Sequence, residues 1–109
     1  VRCRAEEHDD AAAMVSHLPY LVASALSAAT KEAGPLARRL AGPGLKDMTR
    51  LASFPFDIQG GVARRNAHLP DAARRLQRHL SRILTAIAES PDTARTALEE
   101  ARAAREELF

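Results

Sequence analysis

An all-α domain is the fold class this sequence predicts, and three observations predict it. Apolar residues make up 46% of the 109 positions, and most of them are Ala and Leu, which are strong helix formers. Several long stretches repeat their apolar residues at the three-to-four spacing of one helix face. Gly34-Pro35, Gly42-Pro43-Gly44 and Ser90-Pro91 punctuate those stretches, so the helices are long and the connections short. Length leaves room for one domain, and there is no internal repeat or low-complexity linker.

Taken in order, Val1 to Arg4 alternates apolar and charged residues like a short half-buried strand, with Ala5 starting a junction. Four residues cannot make a sheet alone, so residues 1–5 read as the end of a unit whose remainder is missing, and 6–109 as the helical domain. Asp9 or Asp10 can cap a helix running to about Glu32. On that helix Met14, Leu18, Leu21, Val22, Ala25 and Ala29 share an apolar face. Ser16, His17, Tyr20, Ser24 and Ser27 gather on a small hydroxyl-bearing arc. Pro19 is expected to kink the helix beside His17.

Short helices are expected over Leu36 to Ala41 and Leu45 to Ala52, the second directed by the Gly42-Pro43-Gly44 turn. Phe54 to Gly61 is the least regular stretch, where Gly60 and Gly61 oppose a continuous helix. From Val62 to Glu89 the pattern is helical, with Pro70 a point of interruption. Leu69, Ala73, Leu76, Leu80, Ile83, Leu84 and Ile87 line one face of it. Ser90 and Pro91 cap a last helix to about Leu108, with Leu98, Ala101 and Leu108 inward. Arg95, Glu99, Arg102 and Glu106 stand at ion-pair spacing along it.

Composition narrows the function classes. The net charge is only +2, and 14 of the 16 basic residues are Arg. Arg74, Arg75, Arg78 and Arg82 share a face, but no aromatic residue interleaves them for base stacking, so nucleic acid is not the expected partner. The lone Cys3 excludes an internal disulfide, and the four dispersed histidines do not suggest a metal site. Residues 11–30 lack formal charges, yet His17, Pro19 and the serines make them poor in lipid, so no membrane span is expected. The charged first residues are unlike a signal peptide, and a cytoplasmic location is expected. One Tyr, three Phe and no Trp leave few large rings for a core, which suits a domain that leans on a partner surface.

Two clusters carry the candidate chemistry. His17 with Ser16, Tyr20 and Ser24 forms a polar group in an apolar helix, where unpaired groups are costly, so a ligand or another helix should face it. A lone helical histidine is more often a satisfied or surface residue, and that reading stays open. In the segment LKDMTRLA, Lys46, Asp47 and Arg50 point away from Leu45, Met48, Leu51 and Ala52. Arg50 can clamp a carboxylate with its rigid fork, with Asp47 positioned to pair with it; a merely solvated face is the alternative.

The run EEHD (Glu6 to Asp9), VSHLPY (Val15 to Tyr20) followed by LVA, and GLKDMTRLA (Gly44 to Ala52) resemble the C-terminal helical domain of prephenate and arogenate dehydrogenases. Asn66 falls where the family carries an asparagine. The resemblance covers nearly the whole chain. It implies a helical dimerisation domain of the 6-phosphogluconate-dehydrogenase C-terminal-like type, preceded by a Rossmann domain that holds NAD or NADP. The strand stub at Val1 to Arg4 would then be the end of that missing domain's last strand. The implied reaction is oxidative decarboxylation in tyrosine biosynthesis, with no catalytic base in this chain. The resemblance further implies a homodimer that binds prephenate or arogenate. Arg50 would hold a substrate carboxylate, with Ser16, His17 and Tyr20 near substrate and cofactor and Lys46, Asp47 and Thr49 in support. Three departures stand out: Tyr20 in place of a second histidine, Pro43 in place of glycine, and the whole Phe54–Gly61 stretch. The isolated chain is expected to be inactive. The rival readings are a non-catalytic helical interaction or regulatory domain, and a related two-domain dehydrogenase acting on another carboxylate.

Overall fold

The computed structural model describes residues 3–109, and every described element is helical. Val1 and Arg2, half of the expected strand, lie outside the described residues. Cys3 and Arg4 belong to neither helix nor strand. The first helix, α1 (Ala5–Ala12), begins earlier than the Asp9 or Asp10 cap the sequence suggested. Arg4, in extended backbone, is the N-cap, and Glu6 and Glu7 occupy the first turn. Their charges offset the positive helix end, and Glu7 also pairs with Arg4 at 2.6 Å, so no capping side chain is needed.

A π-helical turn, Ala13–His17, joins α1 to α2 (Leu18–Glu32), and the Leu18 N–H reaches back five residues to the Ala13 carbonyl. Pro19 explains the widened turn. It has no N–H to donate, and its ring crowds the carbonyl four residues earlier, so the chain accommodates one extra residue just upstream. That extra residue shifts the helix faces relative to a uniform 100° plot. His17 is buried at 7% exposure beside buried Leu18, whereas Leu21, Ala25 and Ala29, expected on the apolar face, are exposed. Residues Ala5–Glu32 form one 28-residue helical run, long and apolar enough by composition to cross a membrane. A buried imidazole bonded to another segment fits a core helix better than a lipid-facing one.

Gly34, at φ 100°, takes the left-handed backbone that ends α2 and turns the chain into α3 (Pro35–Leu40). Next come α4 (Pro43–Thr49) and a 3₁₀ turn, Arg50–Ser53, so the expected single helix over 45–52 tightens at Arg50. Met48, expected inward, is exposed, while Leu45, Leu51 and Ala52 are half-buried. The Phe54–Gly61 stretch is more helical than its glycines suggested. A π turn over Phe56–Gly60 runs straight into α5 (Gly61–Arg65). Gly60 is buried, and a Cβ there would collide with the Phe56 ring, so a glycine serves close approach rather than a break.

Asn66 to His68 interrupt the helix, and α6 (Leu69–Glu89) follows. The break thus precedes Pro70, which sits in the first turn where a missing N–H costs nothing. Ser90 caps α7 (Pro91–Leu108) as expected, accepting from the Thr93 N–H at 3.1 Å. Arg102 bridges Glu99 and Glu106 at 3.2 and 3.7 Å.

The chain divides into two compact units, Val1–Ala73 and Arg74–Phe109. In the first, buried Ala13, Leu18 and Ala72 pack with half-buried Met14, Val22, Leu69 and Ala73. No large side chain is fully buried among the described residues. In the second, the Thr93 hydroxyl donates to the Ala86 carbonyl at 2.9 Å, tying the start of α7 to α6. Leu76, Leu80, Leu84 and Ile87 of the α6 stripe are exposed, as are Leu98 and Leu108 of α7, which the sequence placed inward. The helical period is as expected, but these residues stay exposed.

Candidate functional site

His17 is held by the short break after α5. Asn66 Nδ2 donates to the Asp9 carbonyl at 2.8 Å and lies 3.1 Å from His17 Nδ1. Asn66 Oδ1 accepts from the His68 N–H at 2.9 Å. An amide NH₂ can only donate, so the pairing makes Nδ1 the acceptor and leaves the ring proton on Nε2. Nε2 has no protein partner among the described residues and is not completely buried. His17 is therefore fixed in one tautomer and offers a single N–H outward. His68 Nδ1 lies 3.7 Å from the Asp10 carboxylate of α1.

Ser16 and Tyr20 face a different space from His17 Nδ1. They line a cleft of about 150 Å³ with Pro19, Leu51, Phe54 and Gln59. Ser16 is exposed and Tyr20 half-buried. The 3₁₀ turn that begins at Arg50 packs against α2, which brings Leu51 to this cleft and sets the exposed Arg50 at its sequence neighbour. Arg50 makes no ion pair among the described residues, Asp47 included. Its guanidinium is free for an external anion. Lys46 and Asp47 are exposed on α4. Thr49 turns away: its hydroxyl donates to the Leu45 carbonyl at 2.8 Å, and it lines a separate groove. Ser24 and Ser27 likewise spend their hydroxyl protons on carbonyls of their own helix.

A model of the family described as "Prephenate dehydrogenase, dimerization domain" matches residues 4–101. The chain belongs to this family. Its match spans Ser16, His17, Tyr20, Arg50 and Asn66 in a single domain. A prephenate dehydrogenase of Bacillus subtilis (strain 168) is 41% identical over 51 residues, 44% of this chain and 14% of that enzyme. The aligned stretch is thus a small part of that relative's length. No solved structure matches.

Sequence reasoning noted Asn66 but not its task. Its distance from His17 along the chain hides the bond, and a polar residue in a helix-breaking Asn-Ala-His stretch was the sole local signal. Leu51, Phe54 and Gln59 were not singled out as cleft residues, because the turns that bring them to Tyr20 are tertiary.

Proposed function

We propose that this dimerization-family domain serves as the C-terminal half of a prephenate or arogenate dehydrogenase, binding the substrate carboxylate and joining two subunits. The observation that carries the reading is the unpaired Arg50 one residue from a cleft that holds Ser16 and Tyr20, inside a family match of nearly full length. A bidentate Arg–carboxylate contact is strong and orients its ligand. His17 presents its Nε2 proton as a fixed donor, and the Tyr20 phenol can donate to a keto or carboxylate oxygen without adding charge. The described residues contain no strand–loop–helix to cradle a dinucleotide, so NAD or NADP would be held by a preceding nucleotide-binding domain, where it would accept hydride. This domain's share is then to hold the ring acid in position and to close the site.

A homodimer would cover the exposed stripe of α6. Leu76, Leu80, Leu84 and Ile87 lie roughly half exposed along α6. Burying the rest of each contributes about 1 kcal/mol, or about 8 kcal/mol for two copies. Association costs on the order of 4–15 kcal/mol. The α6 stripe alone is therefore marginal, and the exposed Leu98 and Leu108 of α7 would need to join it.

The experiment that tests the enzymatic reading offers prephenate and arogenate separately, each with NAD and NADP, to the protein joined to its nucleotide-binding domain. Reduced cofactor with either acid supports it and shows what Tyr20 permits. A folded protein that binds cofactor but reduces none with either acid overturns it, and leaves a dehydrogenase of another carboxylate.

A further inference from the structure

We propose that the groove between α2, α3 and α4 is a second ligand site, for a small organic acid with an apolar body and a carboxylate head. The groove has a volume of about 770 Å³, within the range of small-molecule sites. Pro35 and Leu45 give it apolar walls, while Lys31, Arg38 and Arg39 place three cations on it. None of its lining residues is acidic, and none of the three cations has an ion-pair partner among the described residues. Three unpaired like charges around one concavity raise the local concentration of anions.

The turn at Gly34 creates this arrangement. Its left-handed backbone, open to glycine at little cost, folds α3 back so that Lys31 from the last turn of α2 joins Arg38 and Arg39. The groove's hydroxyls do not compete for the anion. Ser27, Thr30 and Thr49 donate to carbonyls of their own helices at 2.7, 2.8 and 2.8 Å, so recognition falls to the cations. The apolar walls make a ring or alkyl body the natural complement to the charged head. Thr49 lines this groove and Leu51 the cleft by Tyr20, so the 3₁₀ tightening at Arg50 separates the two.

The test titrates the 109-residue chain with cyclohexanecarboxylate, its neutral analogue cyclohexylmethanol, and inorganic phosphate, followed by amide NMR shifts. Saturable shifts confined to residues 27–49 with the carboxylate, and absent with the alcohol, are expected. Arg38→Gln with Arg39→Gln should weaken that binding at least about tenfold, as loss of charged hydrogen bonds does. Arg95→Gln on α7 should leave it unchanged. If the double variant fails to fold by circular dichroism, Lys31→Gln on the exposed rim gives the same reading. No saturation by about 10 mM overturns the proposal, because the site would then be weaker than any specific one. Equal binding of phosphate overturns the apolar complement, and shifts that follow protein concentration instead of ligand assign the groove to a second copy of the chain.

Discussion

Replacing Asn66 with alanine removes three hydrogen bonds at once, and their costs differ because their surroundings do. The Asp9 carbonyl sits on an exposed residue and the His68 N–H on a half-buried one, so water can replace part of what each loses. His17 is 7% exposed, and its Nδ1 would be left without a donor. An exposed bond contributes roughly 0.5 kcal/mol and a buried unsatisfied acceptor costs about 2 kcal/mol, which sums to about 3 kcal/mol. With an unfolding entropy of about 2.1 cal/mol/K per residue, that is a fall in Tm of about 10–15 °C for a chain of this length. Far-UV circular dichroism melts at one fixed protein concentration measure it, since self-association would make Tm depend on concentration. The decisive arm is a double-mutant cycle with His17→Phe. If Asn66 acts through the imidazole, its loss should cost at least about 1 kcal/mol less in the His17→Phe background. Additive losses, or a Tm change under about 3 °C for Asn66→Ala, would refute the account of His17 as a buried, tautomer-fixed partner of Asn66.

Other perturbations follow from the same structure. On the proposed dehydrogenase reading, Arg50→Ala in the protein joined to its nucleotide-binding domain should lower kcat/KM by about 2–4 kcal/mol of transition-state binding while the fold is unchanged, because the exposed guanidinium has no partner among the described residues; steady-state kinetics with the substrate found active checks this. On the proposed homodimer, Leu80→Glu with Leu84→Glu places two charges on residues 55% and 58% exposed, so the helix should persist while sedimentation shows a monomer. Persistence of a dimer would move the interface elsewhere. Ser90→Ala should cost about 1 kcal/mol, or about 4 °C in Tm, through loss of the Thr93 N–H cap, read by the same melts.

Much of the architecture was legible because it is local. Ser90 and Pro91 specify a helix start by side-chain chemistry and fixed φ, and both act within one turn. The α6 stripe follows from period alone. Misreadings clustered where packing, rather than residue type alone, decides. Ala5 starts α1 without a capping side chain, and Gly60 and Gly61 continue a helix, where a Cβ on Gly60 would strike the Phe56 ring. Leu98 and Leu108 look inward by pattern, yet pattern does not say whether the covering surface belongs to the same chain.

The candidate site divides along the same line. From the residues alone came the short polar cluster at Ser16, His17 and Tyr20, the outward Arg50 and the family resemblance, since each is carried by side-chain type and near spacing. The tertiary structure alone decided that His17 turns to Asn66 while Ser16 and Tyr20 open on Leu51 and Phe54. The reason is geometric: a π turn forced by Pro19 adds one residue to the helix, and that offset turns a single expected arc into two separate directions.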